Sequence, residues 1–235
     1  MCLWCYILEK YPDGFANQRW DVKRLSRIIC WDFVESHPEG FKGKHWNMLG
    51  LSVNPNLPWE FVKSHPDGFN GGPWDMVGLS RNSNLDWEFV KSHPDGFKGR
   101  HWDMWGLSIN PNLPVKFVES HINGLNGNPW HMSGLSNNLP WEFIESYPDG
   151  FNGEHWSISV LSFNPSLDWN YVESHPTGFN RQRWDMYWLS CNRNLSWDFV
   201  EKHPNGFNGQ PWQTKRLSGI NWKPYRFRRT KAIIN

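Results

Sequence analysis

Trp59-Glu60-Phe61-Val62-Lys63-Ser64-His65-Pro66-Asp67-Gly68-Phe69-Asn70-Gly71-Gly72-Pro73-Trp74-Asp75-Met76-Val77-Gly78-Leu79-Ser80-Arg81-Asn82-Ser83-Asn84-Leu85-Asp86 decides the fold, because at Trp87 the same pattern starts again. With Trp59 as position 0 the period is 28 residues, and units begin at Cys5, Trp31, Trp59, Trp87, Val115, Trp141, Trp169 and Trp197. The units at Cys5 and Val115 are two residues short. Both deletions fall in the stretch between units, which reads as an exposed linker because surface loops tolerate length changes. A motif that recurs from end to end overrides length as the guide to domain count. Residues 1–224 are therefore read as one repeat array and 225–235 as a basic C-terminal tail.

Each unit reads as two short helices. Asp86, Asp168, Ser196 and Pro58 precede the Trp as N-cap or first-turn residues, and His65-Pro66 stops the first helix after about two turns. Trp59 and Val62 share one face at i, i+3 spacing, with Phe61 beside them. Pro66-Asp67-Gly68 forms a turn in which glycine supplies positive φ. The second helix is expected to open at Pro73, to carry Trp74, Met76 and Leu79, and to end at Asn82. Four positions never vary within the chain: Gly at 9 (Gly14 to Gly206), Trp at 15 (Trp20 to Trp212), and Leu-Ser at 20 and 21 (Leu25-Ser26 to Leu217-Ser218). Helices this short are unstable alone in water and need packing against neighbouring units. The expected fold is an all-α α-solenoid of eight units. A rival reading takes Gly-Phe-Asn-Gly-x-x-Trp as the hairpin of a carbohydrate- or choline-binding β-solenoid.

Composition agrees with short helices. Eighteen Trp, fifteen Phe and seventeen Pro accompany only two Ala, so long Ala/Leu-rich helices are excluded. No apolar run approaches the ~18 residues of a membrane span, and the opening residues lack a basic n-region and a small-residue cleavage site. An unexported, intracellular protein is expected. Cys2, Cys5, Cys30 and Cys191 occupy unrelated repeat positions, an argument against a disulfide framework, and Cys2-x-x-Cys5 has no second ligand pair for zinc.

No catalytic constellation, metal or cofactor is expected. Six histidines (His37, His65, His93, His121, His175 and His203) share one position, where Tyr11 and Tyr147 replace them, so they read as packing residues at a helix C-terminus. Asp67, Asp75, Asp95 and Asp103 recur in turns and first helical turns, as caps do. There is no phosphate loop, nucleophile elbow or His-Glu-x-x-His.

The blocks Trp-(Asp/Glu)-Phe-Val, Asn-Pro-Asn-Leu and Trp-Asp-Met-x-Gly-Leu-Ser resemble the tryptophan-rich tandem repeats of giant DNA viruses of the mimivirus and marseillevirus kind. The resemblance runs from Cys5 to Trp222, and Pro-Asp-Gly-Phe-Asn-Gly makes the loop between the helices longer than the family pattern. It implies a viral origin and carries over no catalytic residue.

In a solenoid, recognition residues vary at fixed positions while the scaffold stays constant. Positions 13, 18 and 22 vary in this way. Lys44, Arg100, Trp105, Tyr187 and Trp188 are the candidate binding residues, the aromatics because interfaces favour them as anchors. From Lys215 onward there are seven basic and no acidic residues. There Lys223, Arg226, Arg228, Arg229 and Lys231 interleave with Trp222, Tyr225 and Phe227, as in segments that hold single-stranded nucleic acid. The expectation is thus a non-catalytic scaffold for a protein partner, with nucleic-acid docking through the tail as the alternative. The unit at 115–140, with Val115 for Trp, Ile122 for Pro and Leu125 for Phe, is expected to be the most weakly packed.

Overall fold

A computed structural model describes residues 3–16 and 18–219. Among them are sixteen helices of four to eight residues and no strand beyond isolated bridges. The helices come in pairs, one pair per sequence repeat. The chain divides into two compact units: one runs through Asn138 and includes Phe151–Gly153, and the other comprises Leu139–Gly150 and the chain from Glu154 onward.

Repeat three shows how sequence sets local structure. The first helix, Trp59–Ser64, ends at His65, whose φ of −120° and ψ of 62° leave the helical region ahead of Pro66. Gly68 has φ +110°, and a Cβ there would lie 2.0 Å from the Gly72 carbonyl oxygen, which explains why position 9 admits only glycine. Phe69 and Gly72 then pair across Asn70 (φ 49°) and Gly71 (φ 72°), a two-residue turn with both central residues left-handed. The Gly/aromatic pattern that suggested a β-solenoid is this single bridge.

The second helix begins later than expected, at Met76. Asp75 is its N-cap, and its carboxylate accepts the Gly78 amide at 2.7 Å. Trp74 therefore precedes the helix. Its indole Nε1–H donates to the His65 carbonyl at 2.7 Å, tying the second helix to the C-cap of the first. All eight position-15 tryptophans make this bond. The ring of His65 stacks on Phe61 with centroids 3.9 Å apart, and its Nδ1 lies 3.0 Å from the Phe61 carbonyl.

Successive repeats are joined by two polar rows. In the first unit the position-21 serine is fully buried and accepts the amide of position 16 in the next repeat: Ser52 from Asp75, Ser80 from Asp103 and Ser108 from His131, each at 3.0 Å. The segment expected to be an exposed linker holds the second row. Asn82 Nδ2 donates to the carbonyls of Ser52 and Asn54, and Asn110 Nδ2 to those of Ser80 and Asn82. Asn54, Asn82 and Asn110 are buried, because asparagine can satisfy several backbone groups that would otherwise be stranded away from water. The segment is exposed at its tip, at Pro55-Asn56 and Pro111-Asn112, and buried where its asparagine reaches the previous repeat. In the second unit Asn192 repeats the pattern on Ser162 and Asn164.

Apolar contacts complete junctions within each compact unit. Trp31 lies against Phe61 (4.9 Å), Phe69 (6.4 Å) and Trp74 (6.5 Å) of the following repeat. In the second unit Trp141 lies against Tyr171, Phe179 and Trp184 in the same way. The position-0 indole of one repeat thus fills a pocket formed by positions 2, 10 and 15 of the next. One junction departs from expectation. Repeat one has Cys5 at position 0, and its sulfur is bonded to that of Cys30. The two cysteines have unrelated repeat positions but become neighbours because position 0 abuts the start of the next first helix.

Candidate interaction surface

The second helices of neighbouring repeats stack directly: Met48–Ser52 on Met76–Arg81, Met76–Arg81 on Met104–Ser108, and Met104–Ser108 on Met132–Asn138. Glycine at position 19 permits this approach. A Cβ on Gly78 would lie 2.6 Å from Ser52 Cβ, and one on Gly106 would lie 2.9 Å from Ser80 Cβ. With position 19 facing the preceding helix, position 18 faces outward. Leu49, Val77 and Trp105 occupy it in successive repeats and are exposed, Trp105 by 41%. Together they form an apolar row along the first unit.

The row is flanked by cationic and polar groups. The Arg81 guanidinium sits 5.0 Å from the Trp105 ring centroid, and the His131 ring is edge-on to the same indole at 6.5 Å. In the second unit Tyr187 and Trp188 are exposed and lie edge to face at 5.0 Å. Trp188 also contacts Phe163, and the Arg216 guanidinium lies 4.4 Å from the Tyr187 ring.

The structure separates the expected binding residues into groups. Trp105 belongs to the outward row, and Tyr187 and Trp188 form their own pair. Lys44 and Arg100 sit instead in the exposed turn between the two helices. Arg100 donates to the Trp74 carbonyl at 3.2 Å, bridging to the previous repeat. The surrounding clefts each hold one ion pair, Asp13 with Lys42 at 3.0 Å and Asp67 with Lys98 at 3.2 Å, beside further basic groups: Arg19 and Lys44 in the first, Arg100 in the second. Lys223, Arg226, Arg228, Arg229 and Lys231 lie outside the described residues.

Sequence reading picked out position 18 as variable but chose only its aromatics, passing over Leu49 and Val77, which look bland singly and matter as successive members of one row. Among the described residues no group of three His, Cys, Asp or Glu is placed to hold a metal, and no helix is long and apolar enough to cross a membrane. Free Cys191 is half-buried, and burial, reinforced by nearby Asp185, raises its thiol above the ordinary range. That is opposite to the shift a reactive thiolate needs. Comparison with family models, curated proteins and solved structures finds no match.

Proposed function

We propose that the chain is a non-catalytic scaffold, an α-solenoid of eight units, that binds a protein partner through the outward faces of its second helices. The observation that carries this reading is the exposed row Leu49, Val77 and Trp105, which consecutive repeats present while their remaining large apolar side chains turn inward. An aromatic anchor with a stacked guanidinium is the kind of group that dominates protein interfaces. The resemblance to giant-virus repeats supports a viral setting, in the host cytoplasm or the virion. To test the row, the immobilised full chain is compared with a Val77→Asp/Trp105→Asp double variant and with a Lys44→Glu variant. The double variant should lose captured proteins that wild type and Lys44→Glu retain. An unchanged set would reject the row as the binding face.

A second reading, nucleic-acid association, is favoured by the basic and aromatic residues of 222–235. It requires affinity that falls steeply with salt and vanishes when 222–235 is deleted. Unchanged affinity after deletion would sink it.

A further inference from the structure

The outward row of the first unit has a length, a spacing and a sign of charge, and each restricts what can lie on it. Position 22 stands one helical turn beyond position 18 on the same face, because residues four apart are neighbours on a helix. Repeats two to four place Leu49 with Val53, Val77 with Arg81, and Trp105 with Ile109 there. Leu49, Val77 and Trp105 are exposed, and Val53 and Ile109 are half-buried beside them. The face turns polar on both sides, with Lys23 and Arg27 at these positions in repeat one and Ser133 and Asn137 in repeat five, all four exposed. The apolar stretch is therefore three repeats long.

Its charge has one sign. In repeats one to five no acidic residue occupies position 18 or 22, whereas Lys23, Arg27 and Arg81 do. The carboxylates nearest in sequence, Asp21, Asp75 and Asp103, are N-caps already engaged by the amides of Arg24, Gly78 and Gly106. Asp21 also pairs with the Arg24 guanidinium at 3.4 Å. The spacing is that of stacked helices, about 8–10 Å per repeat. Seven residues of α-helix rise about 10.5 Å and return to nearly the same face, so a helix laid slightly aslant keeps one side chain per repeat.

We infer that the partner segment seated on this row is an acidic amphipathic α-helix. It crosses the second helices of repeats two to four and sets an apolar side chain at every seventh residue against Leu49, Val77 and Trp105. Its carboxylates flank that stripe and face Arg81 and, toward repeat one, Lys23 and Arg27. The inference rests on the reading of the row as the binding face, and it adds the shape and charge of the occupant. Apolar anchors fix such a helix in place, and opposite charge selects it over helices of equal hydrophobicity.

The test is selection on the immobilised full chain from a displayed library of helix-forming peptides of about four heptads, varied in apolar spacing and in charge. The Val77→Asp/Trp105→Asp double variant, checked for wild-type helical content by circular dichroism, serves as the counter-target. Peptides retained by wild type and released by the double variant should carry apolar residues seven apart and a net negative charge. An Arg81→Glu variant should bind such a peptide on the order of tenfold more weakly, and replacing the peptide's flanking Glu by Lys should restore the loss. Row-dependent peptides that are basic, or that lack the seven-residue spacing, would overturn the inference while leaving the row as the binding face. Selection of no row-dependent peptide would overturn both. Self-association of the wild type, abolished in the double variant, would give the row to a second copy of the chain instead.

Discussion

At the scale of single residues, two kinds of repetition have different causes. Gly68 and its equivalents are fixed by backbone conformation, whereas Trp74 and its equivalents combine burial with one hydrogen bond. Trp74 is 2% exposed and holds the His65 carbonyl, so Trp74→Ala should cost about 3–5 kcal/mol in chemical denaturation. A loss below about 1 kcal/mol would remove Trp74 from the core of this account. Asn110 holds two carbonyls through Nδ2 and accepts the Asn112 amide on Oδ1 at 2.9 Å. Asn110→Leu, which strands all three groups, should cost roughly 2–4 kcal/mol, whereas Lys44→Ala on the exposed turn should stay within about 0.5 kcal/mol. Invariant Gly, Trp and Leu were readable as turn and core from the sequence. Asparagine was not, because its usual place is an exposed turn, and only the spatial stacking of repeats brings the carbonyls of the previous repeat within its reach.

The helix boundaries were legible where a side chain terminates them and illegible where a three-dimensional contact does. Asp86, read from sequence as an N-cap, accepts the amides of Glu88 and Phe89, and it also pairs at 2.7 Å with Lys63 on the preceding first helix. The start of the second helix was misplaced because Pro73 and Trp74 look like a first turn, while the Trp74–His65 bond holds them extended. Burial pushes the Asp86 carboxyl up, but the Lys63 hydrogen bond and the Phe89 amide outweigh it, leaving Asp86 below the ordinary carboxylate range. A folded-state value below the unfolded one means stability that is present above the unfolded pKa and lost as pH falls through the folded one. Asp86→Ala should therefore cost about 1 kcal/mol at neutral pH. The difference from wild type should begin to shrink as pH falls through the ordinary aspartate value and disappear below the lowered folded one, as urea midpoints measured against pH would show. A difference that persists unchanged in strong acid would assign the effect to packing.

At the scale of the whole molecule, the serine and asparagine rows and the indole pockets make repeats within each compact unit depend on their neighbours. The unit at 115–140 keeps Phe117, Leu125 and Trp130 buried but has Val115 where six of the eight repeats have a tryptophan. Its amides should exchange with solvent faster than those of 59–86 under native conditions, and equal rates would show the substitutions to be compensated. Sequence periodicity made the two-helix repeat and the variable position 18 readable, but not the apolar continuity of Leu49, Val77 and Trp105, which shows only once the second helices are seen to stack. The central claim is that neighbouring repeats hold one another folded, and the most direct measurement is urea unfolding of the full chain beside a chain lacking residues 59–86. Coupled repeats predict a lower midpoint and a shallower slope for the shorter chain. An unchanged midpoint, with only the signal amplitude reduced, would contradict the account, because it would mean that each repeat folds without its neighbours.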